Sequence, residues 1–185
     1  MRIASQSGFT LMEMMVALAI SAVLLPSVLK VLPFLTLQVS RETQRMQLDD
    51  ELWQLAFTVG KHIQRAGYCN GECVGAPIYL QSGCLVVQWD SESTGKWPVL
   101  PAAQPAQFGF RINGESLQTS RGAQNCQQGN WERITDPEWM VLTLFTIVPS
   151  PHDPAVFEVS LAGYLRRYPQ VSLSVLHSVA GYNLP

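Results

Sequence analysis

Apolar residues dominate the chain from Phe9 to Leu37, and the pattern changes after that point. Between Phe9 and Leu29 the only charged residue is Glu13. A run of this length meets the ~20 residues that a helix needs to cross a bilayer. Pro26 and Pro33 lie inside the run, and because each removes a backbone donor, we expect kinks or local melting of the helix there.

A second helical pattern follows a polar stretch at the start of residues 38–66. Its apolar side chains recur three or four residues apart, at Leu48, Leu52, Leu55, Val59, Ile63 and Ala66. This spacing indicates an amphipathic helix with one face on a core, and Trp53 and Phe57 widen that face. Gly67 stands where such a helix would stop. The sequence thus predicts a transmembrane helix over residues 9–37 and an amphipathic helix over residues 38–66 that packs on the rest of the chain.

Short runs of alternating apolar and polar residues occupy the rest of the chain, which predicts strands. They cover residues 85–89, 108–112, 115–119, 140–148, 157–161 and 171–175. Asn113-Gly114 separates two of these runs, and such a pair is a strong signal for a hairpin turn. We therefore predict an α+β fold, in which residues 67–185 form an antiparallel sheet that packs on the amphipathic helix.

Charge and composition exclude several classes of function. The net charge of −2 and the 14% of charged residues argue against a basic surface for nucleic acid, and we expect no nucleic-acid partner. The arginines beyond the helix are scattered, at Arg121, Arg133, Arg166 and Arg167. No nucleophile elbow, phosphate-binding loop or metalloprotease motif is present. The three histidines are more typical of surface positions than of a catalytic base, and they are His62, His152 and His177. We predict neither an enzyme nor a cofactor.

The four cysteines lie beyond the apolar run, at Cys69, Cys73, Cys84 and Cys126. An even number outside a membrane helix predicts disulfides formed in an oxidising compartment, which here is the periplasm. Three pairings are possible, and we favour a local Cys69–Cys73 bridge together with Cys84–Cys126. Four thiolates can also bind zinc, but the spacings lack the paired short knuckles of zinc ribbons.

A candidate calcium loop follows the first predicted strand. Asp90, Glu92 and Thr94 place oxygen-bearing side chains at alternate positions, and Gly95 follows them, as in calcium-binding loops. No acidic residue follows before Pro98. An ordinary turn after a strand is the alternative.

The start of the apolar run carries a family resemblance. Gly8-Phe9-Thr10-Leu11-Met12-Glu13, followed by uncharged residues, resembles the N-terminal signal of type IV pilins and type II secretion pseudopilins. The resemblance implies that prepilin peptidase removes residues 1–8 as a leader peptide, cutting between Gly8 and Phe9, and methylates the new N-terminus of Phe9. It also implies that Glu13 docks the subunit into a filament, that residues 9–37 form a transmembrane or filament-core helix, and that residues 38–66 are the amphipathic helix of a head. A secretory signal peptide is one alternative, but its small-residue cut site at Ala17-Leu18-Ala19 would lie in the middle of the apolar run. A simple membrane anchor is the other, and it leaves Glu13 unexplained.

Later stretches resemble the J-like minor pilins of enterobacteria that depend on prepilin peptidase. They are residues 50–53, 61–69, 87–90, 108–111 and 131–137. This resemblance implies an inner-membrane, single-pass subunit with a periplasmic head, which primes assembly of a type IV pilus and ends at its tip. It implies as partners I-like and K-like minor pilins, the major pilin, the inner-membrane assembly platform and, before assembly, membrane lipid. The alternatives are a J-type pseudopilin of type II secretion, and a tip receptor, adhesin or DNA-uptake subunit.

Overall fold

The computed structural model describes residues 8–97 and 106–184. The chain separates into two compact units, one ending at Thr43 and the other running from Gln44 to Pro185. We call the second unit the head. One helix, α1 (Leu11–Arg65), begins in the first unit and ends in the head.

The first unit is helical throughout, from Leu11 onward, and its apolar side chains lie on the surface. Pro26 and Pro33 are both inside α1, and the helix continues through them. The local melting expected at these prolines is therefore absent from the described residues. A single proline removes only one backbone hydrogen bond, and the neighbouring bonds are enough to keep the helix continuous.

α1 ends in the head, one residue earlier than predicted. Gly67 has a φ of 81°, the left-handed conformation common just after a helix. Its backbone N–H donates to the carbonyl of Gln88 at 2.9 Å. A Cβ at this position would lie 2.2 Å from the carbonyl oxygen of Asn183. The C-terminal tail therefore packs against the helix end so closely that only glycine fits.

The described residues of the head form eight strands in two antiparallel sheets, not the single sheet expected from the sequence. The first sheet has the order β1-β2-β3-β4-β5, and the second has the order β6-β7-β8. The strands are β1 (Ile78–Gln81), β2 (Cys84–Gln88), β3 (Gln107–Asn113), β4 (Ser116–Arg121), β5 (Glu132–Arg133), β6 (Met140–Pro149), β7 (Val156–Leu165) and β8 (Tyr168–Ala180). The short strands β1 and β5 were not predicted.

The hairpin between β3 and β4 is present, but its turn is shifted by one residue. Asn113 pairs with Ser116, so the two turn residues are Gly114 and Glu115. Gly114 has a φ of 62°. Glycine at the first central position is the requirement of a type II′ turn, so Asn113 belongs to the strand.

The main core lies between the helix and the two sheets. All six side chains of the predicted apolar stripe, five on α1 and Ala66 just after it, are buried, whereas Phe57 remains half exposed. Leu85 and Phe110 of the first sheet and Leu161 and Val175 of the second join the same cluster. The head therefore has the α+β architecture that the sequence predicts, with the helix as its central element.

Candidate processing and docking site

Glu13 lies in the first turn of α1, where it forms a capping box with Thr10. Its Oε2 accepts hydrogen bonds from the backbone N–H of Thr10 at 2.9 Å and from Thr10 Oγ1 at 3.1 Å. In return, Thr10 Oγ1 accepts from the backbone N–H of Glu13 at 3.3 Å. Both side chains thus satisfy donors that a helix start leaves unpaired. A carboxylate at this end also interacts favourably with the helix dipole.

Thr10 is a partner of Glu13 that was not predicted from the sequence. The spacing of a threonine and a glutamate three residues apart, ahead of an apolar run, is itself the signature of a capping box. Gly8 and Phe9 precede it and are exposed, with 84% of Phe9 accessible. The residues expected at the cleavage, methylation and docking positions are therefore all accessible at one helix start.

The first part of α1, before the polar stretch that starts at Gln38, is apolar on all sides. Its most apolar 18-residue window has a mean hydropathy of 2.2, and none of that window is buried. By length and composition it is able to cross a membrane. An all-round apolar helix requires lipid or other chains around it.

The two disulfides join Cys69 to Cys73 and Cys84 to Cys126. This is the pairing that the sequence favoured. The zinc alternative is wrong, because no cysteine remains free to bind a metal as a thiolate.

The Cys69–Cys73 loop packs against the candidate calcium loop. Asp90 is almost fully buried, and its carboxylate accepts from the backbone N–H groups of Thr94 at 2.9 Å, Gly95 at 2.7 Å and Asn70 at 3.3 Å. Burial acts to raise the pKa of Asp90, but these hydrogen bonds outweigh it and hold the pKa below its usual value. Asp90 therefore joins the Cys69–Cys73 loop to the candidate calcium loop through hydrogen bonds.

The contacts of Asp90 bear on the calcium hypothesis. Both carboxylate oxygens already accept hydrogen bonds from protein donors, and Glu92 is exposed to solvent. Thr94 Oγ1 donates to Asp90 Oδ1 at 3.3 Å. This arrangement favours the ordinary turn, and calcium binding at Asp90, Glu92 and Thr94 remains a hypothesis for titration to test.

Arg111 supports the second disulfide in a way that the sequence did not indicate. Its guanidinium lies 4.3 Å from the ring centre of Trp131, a cation–π contact. Arg111 Nη1 also donates to the carbonyl of Cys126 at 2.8 Å. Cys84, Cys126 and Trp131 belong to a small apolar cluster of their own. Arg111 thus contacts two members of that cluster, Cys126 and Trp131.

His62 is not the surface histidine that the sequence suggested. Its ring stacks on Phe108 at 4.0 Å between centres and meets the edge of Phe110 at 5.3 Å. Burial, with a smaller contribution from the positive charge of Arg65, lowers the pKa of His62 from 6.5 to about 4. Its Nδ1 is buried and has no hydrogen-bond partner among the residues that the structure describes. His62 is therefore a neutral member of an aromatic cluster at neutral pH.

Comparison with known proteins relates this geometry to a family. The model of the family "Prepilin peptidase-dependent protein B" matches residues 41–181, which covers most of the head. The chain belongs to the prepilin peptidase-dependent protein B family. A second model, of the prokaryotic N-terminal methylation motif, matches residues 3–25, the segment that contains Gly8, Phe9 and Glu13.

A curated member of the prepilin peptidase-dependent protein B family supports the assignment. The chain is 38% identical to Prepilin peptidase-dependent protein B of Escherichia coli (strain K12) over 97% of its own length and 98% of the relative. No solved structure matches. The methylation motif implies processing by prepilin peptidase. Together with the apolar helix it indicates a membrane-anchored, pilin-like protein.

Proposed function

We propose that this chain is a J-like minor pilin that helps to initiate a type IV pilus and then sits at its tip. The observation that carries the proposal is the start of α1, where Glu13 stands in the first turn of an exposed apolar helix. The role is structural rather than catalytic. I-like and K-like minor pilins, the major pilin and the assembly platform are the proposed partners.

Processing prepares this helix start for docking. Cleavage after Gly8 frees the amine of Phe9, which stays cationic after methylation. Within the described chain Glu13 accepts hydrogen bonds through Oε2 only, so Oε1 remains available to a second donor. In an apolar filament core a charge is tolerated when it is paired. The Phe9 amine of one subunit and Glu13 of the next therefore set the axial position of the incoming subunit.

A pair of variants tests the docking role. We expect the Glu13→Ala variant to be cleaved and methylated. Its amount in sheared filaments should fall at least tenfold, because the Phe9 amine of the neighbouring subunit loses the carboxylate that pairs with it. Asp49→Ala is the matched control, since Asp49 is an exposed carboxylate on the same helix. Its amount in filaments should not change. Normal incorporation of Glu13→Ala would contradict the docking role.

The mature N-terminus provides a separate test of processing. Mass spectrometry should find a chain that begins with methylated Phe9. An intact Met1 on protein from assembling cells would overturn the processing scheme.

A deletion strain distinguishes the classes of function. Loss of filaments supports initiation of a pilus. Normal filaments with lost secretion would instead support a type II pseudopilin, and normal filaments with lost adhesion or DNA uptake would support a tip receptor.

A further inference from the structure

Lys30 is the one cation in the apolar part of α1. In residues 9–37 the only charged residues are Glu13 and Lys30. Lys30 is exposed on the helix, and so are its apolar neighbours Leu29 and Val31. An ammonium group is costly inside lipid hydrocarbon unless it reaches the polar surface or pairs with another group. Lys30 therefore needs a polar partner whenever this helix lies in a membrane.

Lys30 lies about one membrane thickness from the start of the apolar run. Continued as helix, the chain from Phe9 to Lys30 spans about 32 Å at 1.5 Å per residue. The hydrocarbon of a bilayer is about 30 Å thick, and membrane helices tilt by about 20° on average. With Phe9 at one surface of the hydrocarbon, Lys30 therefore lies at the other.

The whole apolar run is longer than the hydrocarbon is thick. Residues 9–37 span about 42 Å as a helix. To fit entirely in the hydrocarbon, this helix would have to tilt by about 45°, beyond the range of about 0–40° that membrane helices adopt. Part of the run therefore lies outside. Lys30 decides which part, because a buried lysine costs several times what one buried leucine gains. Its flexible side chain reaches the surface from a short distance below.

Pro33 adds a second polar group at the level of Lys30. Because Pro33 has no N–H, the carbonyl of Leu29 lacks its usual helical donor. Such a carbonyl is costly in hydrocarbon, whereas water among the headgroups can donate to it. Pro26 affects the carbonyl of Ala22 in the same way, but no charged residue lies beside it. A freed carbonyl and a charge coincide only at Leu29 and Lys30.

We propose that the ammonium of Lys30 binds a lipid phosphate in the leaflet at the C-terminal end of the membrane segment, and that this contact limits how deeply the helix sits. Residues 31–37 then lie among the headgroups and beyond them, outside the hydrocarbon. The same contact holds the junction of Gly8 and Phe9 at the opposite surface. It requires only a membrane-anchored chain and does not depend on a role in a pilus.

The carboxylate of Glu13 in another copy is the competing partner. Along the helix, Lys30 and Glu13 are about 26 Å apart. Two copies at the same depth in a membrane therefore cannot pair these groups unless one helix moves by most of the membrane thickness. A lipid phosphate meets Lys30 without any such movement, so it is the partner that fits a helix in a bilayer.

Solid-state NMR of the full-length chain in phospholipid membranes tests the phosphate contact. The sequence has three lysines, Lys30, Lys61 and Lys96. With isotope-labelled lysine Nζ and phosphate-free buffer, about one third of the Nζ signal should show dipolar dephasing by phosphorus, because one lysine of three contacts phosphate. Lys30→Leu should abolish the dephasing. Lys61→Leu is the matched control, since Lys61 is exposed on the same helix, and it should leave the dephasing unchanged.

The source of the phosphate is tested by changing the lipid. Membranes of a galactolipid without phosphorus, with inorganic phosphate added to the buffer, should show no dephasing. Dephasing in that sample would overturn a lipid phosphate in favour of the free ion.

Maleimide labelling in the same phospholipid membranes measures the depth of the helix. The native cysteines all form disulfides, so only an introduced cysteine reacts. A water-soluble maleimide should label Leu35→Cys and leave Leu25→Cys unlabelled. Adding Lys30→Leu should slow labelling at position 35 at least fivefold, because the helix sinks. Lys30→Arg should keep the original rate, as should Lys61→Leu.

The remaining outcomes overturn one or both parts of the inference. Dephasing that is absent from the full chain, or that persists in Lys30→Leu, overturns the phosphate contact. If Glu13→Gln then slows labelling at position 35 as Lys30→Leu does, the carboxylate of another copy is the partner. An unchanged labelling rate in Lys30→Leu overturns the limit on depth. Filaments are not measured in any of these experiments, so their failure leaves the proposed function standing.

Discussion

Leucines on the two parts of α1 have opposite environments. Leu18 in the first unit is 67% exposed, whereas Leu52 in the head is 0% exposed. The difference follows from their neighbours along the helix. Near Leu52 the apolar residues keep to one face, so the chain itself can cover them. Near Leu18 they surround the helix, and no other part of the described chain covers them. Apolar content shows that a helix needs a partner, and its periodicity shows whether that partner lies in the same chain.

The largest expected effect is a direct test of this contrast. Leu52→Ala should destabilise the head by about 2–5 kcal/mol, because it leaves a cavity in the core. Leu18→Ala should leave the stability of the head unchanged. Urea titration of the full chain in detergent measures both. All five tryptophans lie between Trp53 and Trp139, so their fluorescence reports the head alone. Equal losses from the two variants would break the comparison.

The two disulfides allow a comparison within the head, because all four cysteines lie there and the first unit contains none. Removing the Cys84–Cys126 bridge with two serines should cost about 4 kcal/mol, whereas removing Cys69–Cys73 should cost about 2 kcal/mol. The reason is that the former closes a loop of 42 positions and the latter one of 4. Urea midpoints would show the ranking, and both variants should still be cleaved before Phe9. A larger loss from the short loop would refute the chain-entropy explanation.

The last effect concerns pH, and it too belongs to the head. Because the pKa of His62 falls from 6.5 to about 4 on folding, the unfolded chain binds a proton in this range that the folded chain does not. The contribution of His62 to the free energy of unfolding is thus fully present above pH 6.5 and is lost as the pH falls toward 4. The loss is at most about 3 kcal/mol.

Substitution isolates the contribution of His62. His62→Phe should make the urea midpoint less dependent on pH between 4 and 6.5. His152→Phe, at an exposed loop position, should keep the dependence of the original chain. An unchanged slope in His62→Phe would show that other groups cause the acid sensitivity.

Much of the fold could be predicted because its signals are local. The stripe from Leu48 to Ala66 and the alternation along β7 identify their elements by spacing alone. β5 could not be found this way, since two charged residues, Glu132 and Arg133, carry no alternating pattern. The division into two sheets depends on which strands pair across the chain, and periodicity does not record pairing.

Some residues of the site could likewise be predicted from local signals, whereas others depend on contacts between distant parts of the chain. Gly8, Phe9 and Glu13 are recognisable because they hold fixed offsets against an uncharged run. Pairing of four cysteines is limited to three choices, so a favoured pairing is possible. The burial of His62 depends on Phe108, which is distant in sequence and comes from another element. The hydrogen bonds of Asp90 likewise join two loops that come together only in the folded head.

The two disulfides have a practical consequence for following this protein in cells. Such bonds form in oxidising compartments and are rare where thiols are kept reduced. The oxidation state of the four cysteines therefore reports which side of the membrane the head has reached. A thiol-alkylation assay can measure translocation of the untagged chain by a shift in mass, independently of the proposed cleavage after Gly8 and of any filament.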